Sequence, residues 1–536
     1  MDSSDANEPL SSSDPGELLE PRKDCPLEAI YRHRGPYELP HVDKIQRSER
    51  HTVLYELPFL AGVDGCPVPY VSSDGPTNGA ARVRLPTSAK CVMRNADGTS
   101  GIESRWNLVR RALERPITNA RQLEAAILLY NPDYRTRYQF VALHRLFEQC
   151  DESERAAFFR DTLRRMTELA LRLTELFRVP IPLLTQRQNH AVSMSQQQAA
   201  CLLANAFFCT FPQPKSAQAR SLSVANFAAL FAGTSQSAVE KLKCLCHYFR
   251  RVCCVAMPTG VLTYERRYLP KHALLDWNTV EHVFDRERAP LHVSNEGTIE
   301  DQGAGLLQMV FANRFLGGGV IGNGCVQEEI RCVICPELLV GRLLFESLRE
   351  TEAYFVLGAE QFCTYENYAA TFAFADDHRD ETPRDACGRR RCYIVGLDAL
   401  KVLDGTTNQY SERSILRELH KAYVGFRYAL PGPVPGIATG NWGCGAFGGS
   451  APLKALLQLM VGCVTERPLL YFTCNERNLQ ERLCKLYAFL TERRVPVATV
   501  YELLVRYGAD DASSHGTSNV YNYLYQSLAD SNPRAR

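Results

Sequence analysis

Apolar side chains between residues 153 and 177 recur in alternating steps of four and three along the chain. The series is Phe159, Leu163, Met166, Ala170, Leu173 and Phe177. This spacing places them on one face of a helix, which Pro180 and Pro182 would end. Comparable patterns extend from about residue 104 to 255. They predict that the first half of the chain is helical.

Two more helix starts are indicated by polar residues just ahead of apolar periodic runs. Ser195 with Gln198, and Ser237 with Glu240, have the spacing of a capping box. In such a box, two residues three positions apart satisfy each other's backbone N–H groups. We therefore expect helices to begin at Ser195 and at Ser237.

Beyond about residue 290, short apolar runs alternate with helical segments. The runs predict strands at 306–312, 353–357, 392–395 and 469–473. The other patterns predict helices at 413–424, 452–464, 476–491 and 498–507. Alternation of this kind indicates an α/β fold in which helices cover both faces of a sheet. Functional residues usually lie on the loops of such a sheet.

The chain divides into four predicted segments. Residues 1–24 are rich in Ser, Pro, Asp and Glu, which is typical of a disordered acidic tail. Residues 25–255 are predicted to form a mainly helical accessory domain, and residues 256–515 the α/β domain. Residues 516–536 are predicted to be a flexible C-terminal tail.

Composition narrows the class of protein. The 536 residues carry a formal net charge of +1, so global basicity does not select a partner. Twenty cysteines accompany a polar, acidic N-terminus without a signal-peptide pattern, which favours reduced thiols in the cytosol or nucleus. The most apolar stretch, 199–211, is interrupted by Asn205 and is too short to cross a bilayer. No membrane partner is expected.

The most informative stretch combines a glycine triplet with a pair of acids. Gly317, Gly318 and Gly319 follow a predicted strand, where residues without Cβ let the backbone approach an anion such as a diphosphate. Glu328 and Glu329 then stand ahead of an apolar segment. Burial and like-charge repulsion there would raise a carboxyl pKa, so one of them could hold a proton near neutral pH.

A second glycine-rich loop spans residues 438–450. Its five glycines precede a predicted helix, with Ser450 as a possible cap. Free N–H groups and the positive end of a helix dipole make such a loop a second candidate phosphate site. The alternative is a connection that merely lets Trp442 and Phe447 pack.

Several patterns support competing functions weakly. Both glycine loops satisfy G-x-G-x-x-G, which leaves an NAD-dependent enzyme open, but neither has the strand, helix and acidic residue of a dinucleotide site. The C-x-x-C of Cys332 and Cys335 has no second pair at zinc spacing, so no metal is predicted. Arg389, Arg390 and Arg391 form a short basic run, the only import-like signal.

Taken together, these motifs resemble the poly(ADP-ribose) glycohydrolase family. The glycine triplet followed after seven residues by Gln327, Glu328 and Glu329 looks like its signature. Further similar blocks, in the family's order, are Gly-Thr-Ile-Glu-Asp at 297–301, Phe-Ala-Asn-Arg at 311–314, Tyr365 with Tyr368, and Gly-Asn-Trp-Gly-Cys-Gly-Ala-Phe-Gly-Gly at 440–449. The resemblance covers roughly residues 25–510.

This resemblance implies a macrodomain-like mixed sheet flanked by helices, with an N-terminal helical domain. The implied activity is hydrolysis of ribose–ribose O-glycosidic bonds in poly(ADP-ribose), releasing ADP-ribose without a cofactor. Glu329 matches the general acid and base, and Glu328 matches a partner that engages ribose hydroxyls. The matching substrate contacts are Gln327, Asn313, Ile299, Glu300, Tyr365, Asn441, Trp442, Gly443, Cys444, Gly445 and Ala446.

Two positions depart from the family pattern. Val310 stands where the family usually has Asp, so either that carboxylate is dispensable, or Glu300 or Asp301 supplies charge, or the enzyme is slower. Cys474 stands where an aromatic is common, which implies looser adenine stacking. A module that binds ADP-ribose polymer without cutting it is therefore the alternative function.

The expected partners are poly(ADP-ribose) and poly(ADP-ribosyl)ated proteins, with ADP-ribose as product and no direct reading of nucleic acid. Because the polymer is made in the nucleus, we expect the protein there, with the cytoplasm as a second location. Cleavage within the polymer and cleavage at its end both agree with the sequence.

Overall fold

The computed structural model describes residues 23–38, 44–72, 81–94, 102–213, 220–402, 407–427, 434–510 and 519–530. The helices in these ranges are α1 Leu27–Ile30, α2 Arg105–Leu113, α3 Ala120–Leu129, α4 Tyr134–Arg137, α5 Val141–Gln149, α6 Glu152–Ala157, α7 Leu163–Leu171, α8 Leu173–Leu176, α9 Gln196–Phe207, α10 Ala228–Phe231, α11 Gln236–Arg250, α12 Ile299–Gln302, α13 Gln327–Ile334, α14 Gly341–Leu344, α15 Glu412–Phe426, α16 Ala451–Val464, α17 Arg477–Glu492, α18 Val497–Asp510 and α19 Val520–Asp530. The strands are β1 His51–Val53, β2 Val92–Arg94, β3 Ile102–Ser104, β4 His190–Ser195, β5 Val261–Tyr268, β6 Leu291–Ser294, β7 Leu307–Ala312, β8 Glu352–Leu357, β9 Cys363–Glu366, β10 Ala373–Asp377, β11 Tyr393–Asp398, β12 Ile437–Gly440 and β13 Leu469–Phe472.

Within the described residues, nine strands form one mixed sheet in the order β1-β4-β5-β8-β11-β7-β12-β13-β6. The strands from β11 to β6 in that order are parallel to one another. Strands β5 and β8 run antiparallel to their neighbours. Because the carboxyl ends of parallel strands meet at one edge, the residues that follow β7, β12 and β13 come together there.

Both faces of this sheet are covered. Alternate residues of β8 point to opposite faces, so Tyr354 and Val356 pack with the helices of the first half. Phe355 and Leu357 pack with α15 to α18 on the other side. The predicted α/β arrangement with two covered faces is confirmed.

The predicted elements of the second half are present. The four predicted strands correspond to β7, β8, β11 and β13, and the four predicted helices to α15, α16, α17 and α18, within three residues at each end. The helix predicted over 153–177 is also present, although a π-helical turn, Phe158–Thr162, joins α6 to α7. Strands β1, β4, β5, β6 and β12 were not predicted.

The apolar stretch at 199–211 forms most of α9, a helix buried along its whole length. It lies under the sheet, against the residues of the first-half core. In the parts of the chain that the structure describes, no helix combines the length and apolarity needed to span a bilayer.

One of the two predicted capping boxes is confirmed. The hydroxyl of Ser195 accepts a hydrogen bond from the Gln198 N–H at 3.0 Å, and the Gln198 side chain accepts from the Ser195 N–H at 2.9 Å. The prediction at Ser237 is wrong, because α11 begins two residues earlier, with Ser235 as its cap. The Glu240 carboxylate turns away and accepts from the N–H of Phe374, at 3.1 Å.

The predicted boundary between residues 255 and 256 is not a break in the packing. The segment 25–255 is mainly helical, but it supplies β1 and β4 to the common sheet. Its core continues without interruption into residues as far along as Ile394. The helical segment and the α/β segment therefore share one sheet and one continuous core.

The structure describes parts of the two predicted tails, and these parts are ordered. Most of the predicted disordered tail, 1–24, lies outside the described residues, but the Asp24 carboxylate is buried and accepts from the Val293 N–H at 2.9 Å. The flexible tail predicted at 516–536 is wrong for 520–530, which form α19 against α16 and α18. Tyr521 and Leu524 of α19 are buried, so a hydrophobic contact holds this segment.

Docking of α19 can be tested with a pair of alanine substitutions. Leu524→Ala should lower the free energy of unfolding by about 2–5 kcal/mol, because it leaves a cavity in the core. Gln526→Ala, exposed on the same helix, should change it by less than about 0.5 kcal/mol. Urea denaturation measures both, and equal effects would contradict the docked helix.

Candidate active site

The two adjacent acids, Glu328 and Glu329, lie in the first turn of α13, directly after the loop that leaves the carboxyl end of β7. Both side chains are buried. The N-terminus of a helix favours negative charge, because its first N–H groups have no partner within the helix. The structure thus brings the predicted catalytic pair to the edge of the sheet where ligands bind in α/β folds.

Glu328 is the more deeply buried of the pair. Its Oε1 accepts from the Gly317 N–H at 2.7 Å and, at a longer 3.4 Å, from the Tyr354 hydroxyl. Its Oε2 accepts from the Asn313 N–H at 2.7 Å. Burial, followed by the neighbouring charge of Glu329, raises the pKa of Glu328 well above its usual range despite these bonds. The contact predicted between Glu328 and ribose hydroxyls stays a prediction.

Glu329 is held by two backbone groups. Its Oε1 accepts from the Gly319 N–H at 2.9 Å, and its Oε2 accepts from the Val326 N–H at 3.0 Å. A carboxyl group has further lone pairs after two such bonds, so each oxygen can still meet a ligand or a proton. The side chain is therefore fixed in direction but remains chemically available.

The glycine triplet wraps around the acids rather than around an anion. A Cβ on Gly318, whose φ is +44°, would lie 2.6 Å from Oε1 of Glu329 and 2.8 Å from Oε2 of Glu328. The N–H groups of Gly317 and Gly319 donate to the carboxyls, and that of Gly318 donates to a backbone carbonyl. The prediction that this triplet cradles a diphosphate is wrong, because its donors are already used.

The second glycine loop, 441–450, follows β12 and leads into α16. Among the residues that the structure describes, the N–H groups of Gly443, Gly445 and Ala446 have no acceptor. Gly445 and Ala446 are exposed, and a Cβ on Gly445 would meet nothing within 4 Å. This loop therefore offers free donors at the mouth of the site, as predicted for a phosphate-binding turn.

Trp442 anchors that loop instead of contacting a ligand. Its indole is fully buried, and its Nε1 donates to the Leu397 carbonyl at 2.9 Å. The Lys454 ammonium lies 4.5 Å from the ring centroid. The side chain points into the core, so the contact predicted for Trp442 as part of the 441–446 loop stays a prediction.

Asn441 and Cys444 complete the loop. The Asn441 amide donates to the Thr473 carbonyl at 3.1 Å and accepts from the Tyr471 hydroxyl at 3.0 Å, which ties the loop to the end of β13. Burial raises the pKa of the Cys444 thiol to about 12, so it stays neutral. Both side chains shape the turn and leave its free N–H groups to meet an anion.

On the other side of the sheet edge, Glu300 of α12 accepts from the Tyr365 hydroxyl at 2.7 Å. Burial and then the charge of Glu300 raise the pKa of Tyr365, so this hydroxyl remains a donor. Ile299 packs with Phe472 in a small cluster, so its side chain is mostly unavailable to a ligand. Cys474 is exposed beside them, in a left-handed conformation with φ of +54°.

Gln327 and Asn313 connect the acids to β7. The Gln327 amide accepts from the Phe311 N–H at 2.9 Å and donates to the Met309 carbonyl at 3.1 Å, so both its ends are used by the strand. The Asn313 Oδ1 accepts from the Phe315 N–H at 3.1 Å. Within the described chain the Asn313 Nδ2 has no acceptor, which leaves it to meet a ligand.

Tyr368 is a further residue of the site. The family block that includes Tyr365 contains it, but it was not among the predicted site residues. The Tyr368 ring is 52% exposed, and its hydroxyl accepts from the Gln327 N–H at 2.9 Å. Burial raises its pKa to about 12, and the nearby Cys474 and Glu329 contribute in the same direction. Tyr368 thus stands between the acid pair and the end of β13.

Val310 lies in a row of residues across three strands. It pairs with Gly396 of β11, and Gly396 pairs with Tyr354 of β8. A Cβ on Gly396 would lie 1.9 Å from the Tyr354 ring, so the ring fits there only because residue 396 is glycine. Through this gap the Tyr354 hydroxyl reaches Glu328.

The two acids proposed as substitutes for the missing carboxylate are engaged elsewhere. Glu300 accepts from Tyr365, and the Asp301 carboxylate accepts from the Thr298 hydroxyl at 2.7 Å. Within the described residues, no third carboxyl group makes a hydrogen bond to Glu328 or Glu329. A neutral hydroxyl, from Tyr354, joins the pair instead.

Comparisons with known proteins agree with this geometry. Residues 275–481 match the family description "Poly (ADP-ribose) glycohydrolase (PARG), Macro domain fold", and residues 150–266 match its helical domain. Poly(ADP-ribose) glycohydrolase 1 of Arabidopsis thaliana is 29% identical over 472 residues, covering 72% of this chain and 84% of the relative. Probable poly(ADP-ribose) glycohydrolase 2 of the same plant is 30% identical, covering 65% and 75%. Poly(ADP-ribose) glycohydrolase 1 of Caenorhabditis elegans is 32% identical, covering 59% and 40%.

A macro-domain-fold sheet with buried carboxyls at its ligand edge, together with these relatives, places the chain among the glycosidases. The chain belongs to the poly(ADP-ribose) glycohydrolase family. The predicted family, fold class and enzyme class are thereby confirmed.

The role of the glycine triplet can be tested within one loop. Gly318→Ala should lower kcat by about 100-fold, because its Cβ would displace both carboxyls from their positions. Gly322→Ala is the matched control, since its Cβ would meet only the Gly319 carbonyl, at 3.6 Å. Rates of ADP-ribose release, with folding checked by circular dichroism, measure the difference. Equal rates for the two variants would contradict the described packing.

Proposed function

We propose that Glu329 is the general acid and base with which this glycohydrolase cleaves the ribose–ribose O-glycosidic bonds of poly(ADP-ribose). The observation that carries this assignment is the buried carboxyl of Glu329, fixed by two backbone N–H groups but with free lone pairs. It lies at the same sheet edge as a loop with unpaired N–H groups.

The chemistry requires one proton donor at a fixed place. An acetal is stable in water until its leaving oxygen is protonated, and the sugar then carries an oxocarbenium-like charge. Protonated Glu329 gives its proton to the oxygen of the departing ribose as the C–O bond breaks. The resulting carboxylate takes a proton from the water that attacks the sugar carbon, so that the acid is regenerated and ADP-ribose is released.

Glu328 controls the charge of the pair. Burial raises the pKa of Glu328 well above its usual range, and the charge of Glu329 adds to this shift. Because Glu328 is enclosed by three donors, its contribution is electrostatic, whereas Glu329 faces the substrate.

The diphosphate of the substrate is proposed to bind the loop at 441–450. The free N–H groups of Gly443, Gly445 and Ala446 supply donors, and the start of α16 adds the positive end of a helix dipole. Anchoring the phosphates there orients the scissile bond toward Glu329, which lowers the entropic cost of reaction. Glu300 and Tyr365 are proposed to contact the adenine side, and Asn313 the ribose beside the acids.

We further propose that the protein acts on poly(ADP-ribosyl)ated proteins in the nucleus, where the polymer is made, and also in the cytoplasm. Arg389, Arg390 and Arg391 do not support nuclear import in this fold. Arg389 is buried against Asp385, and Arg390 pairs with Glu360 at 3.0 Å. The test is the location of the tagged protein before and after DNA damage.

The assignment of Glu329 is tested by a substitution that removes the proton and keeps the shape. Glu329→Gln should lower the rate of ADP-ribose release by about 100- to 10,000-fold, the usual contribution of a general acid. Glu287→Gln, at an exposed turn, is the matched control and should keep the wild-type rate. Release is measured from a polymer-modified acceptor protein.

Two other outcomes would be informative in that assay. Wild-type activity in Glu329→Gln would assign the proton transfer to another group. Polymer binding by the wild type without any release would identify a binding module that does not cut the polymer. Binding of the polymer to Glu329→Gln should stay close to that of the wild type, because the phosphates bind elsewhere.

A further inference from the structure

Lys241, in the middle of α11, is a fully buried lysine that faces the loop carrying the glycine triplet. Its ammonium donates to three backbone carbonyls of that loop, those of Val320 at 2.9 Å, Gly322 at 2.7 Å and Gly324 at 2.7 Å. An ammonium group has three N–H donors, so all of them are used. None of the sequence motifs described above includes this residue.

The environment of Lys241 is unusual for a buried charge. Within the described chain it forms no ion pair with a carboxylate, and carbonyl dipoles surround its charge instead. Burying an ammonium without a counter-ion is costly, so apolar residues would normally occupy such a position. The half-buried Lys243, two residues on, pairs with Glu240 at 2.8 Å, which is the usual arrangement for a lysine that is partly removed from water.

The backbone of the same loop contacts Glu329 through its N–H groups and Lys241 through its carbonyls. Its N–H groups at Gly319 and Val326 donate to Glu329, while its carbonyls at 320, 322 and 324 point at Lys241. A loop of small residues has little stiffness of its own, because glycine has the widest backbone freedom. The ammonium supplies three charge-assisted bonds that fix the loop, and hence the direction of the acid.

We propose that Lys241 is a positioning residue. From helix α11 its ammonium holds the loop whose N–H groups donate to Glu329. This inference rests on the proposed role of Glu329. It makes α11 part of the framework that positions the active site. The three hydrogen bonds from the ammonium to the loop carbonyls fix the loop, and the packing of the aliphatic part of the lysine does not.

The proposal predicts a loss in the chemical step rather than in binding. Lys241→Met keeps an unbranched side chain that matches the aliphatic part of lysine but removes the charge and the donors. It should lower kcat by about 100-fold, the cost of a small misplacement of a catalytic group. The affinity for ADP-ribose, measured by calorimetry, should stay within about threefold, because the free N–H groups of the 441–450 loop are untouched. Lys243→Met is the matched control and should behave as the wild type.

A pH profile separates this role from simple packing. Burial lowers the pKa of Lys241 from 10.5 to about 8, and Cys325 and Glu329 are the titratable groups that oppose this shift. Below that pH the ammonium is charged and the loop is held, so kcat of the wild type should fall as pH rises through about 8. Lys241→Arg remains charged throughout, so its alkaline fall should move to higher pH.

The outcomes are decisive in both directions. Lys241→Met with kcat within threefold of the wild type, or the same alkaline fall in the wild type and Lys241→Arg, would overturn the proposal. If neither variant folds, a wild-type rate that stays flat from pH 7 to 9.5 would also overturn it, and a fall near 8 would support it. Activity retained by Glu329→Gln would instead overturn the proposed function itself, which keeps the two failures distinguishable.

Discussion

Two carboxyl groups on adjacent residues, buried together, are the constraint on which the site depends. Desolvation and then the charge of Glu329 oppose the ionisation of Glu328, so the chain must surround the pair with donors. Four backbone N–H groups, those of Asn313, Gly317, Gly319 and Val326, provide most of this support. Backbone donors need a loop that closes tightly around the acids. This leaves no room for a Cβ at position 318, where the residue is glycine.

The topology brings this acid loop and the second glycine loop together. Strands β7 and β12 are parallel neighbours, so the loops that follow them leave the same edge of the sheet. The two strands pair only at two positions before β12 diverges, and the Gln327 amide occupies the ladder positions of β7 that are left open. Gln327 thereby keeps α13 seated on β7 at the point where β12 has diverged from it.

Sequence reasoning could predict the parts of this molecule that have local signatures. Strongly periodic segments gave α15 to α18, and the acid pair after a glycine triplet led to the correct sheet edge. It could not predict the direction of individual N–H groups, which is why the triplet was assigned to a diphosphate. It also could not find Lys241 or Tyr354, because these residues lie 88 and 25 positions from Glu329 in the sequence and meet its loop or its partner only in the fold.

The departure at Val310 is explained by its neighbours across the sheet. A carboxylate on β7 would add a third like charge beside the pair, whereas the Tyr354 hydroxyl adds a donor without charge. Burial and then the charge of Glu328 raise the pKa of Tyr354 well above its usual range, so its hydroxyl stays protonated near neutral pH. Val310 thus leaves Glu328 next to a neutral donor, and the proposed role of Glu329 does not depend on a third carboxylate.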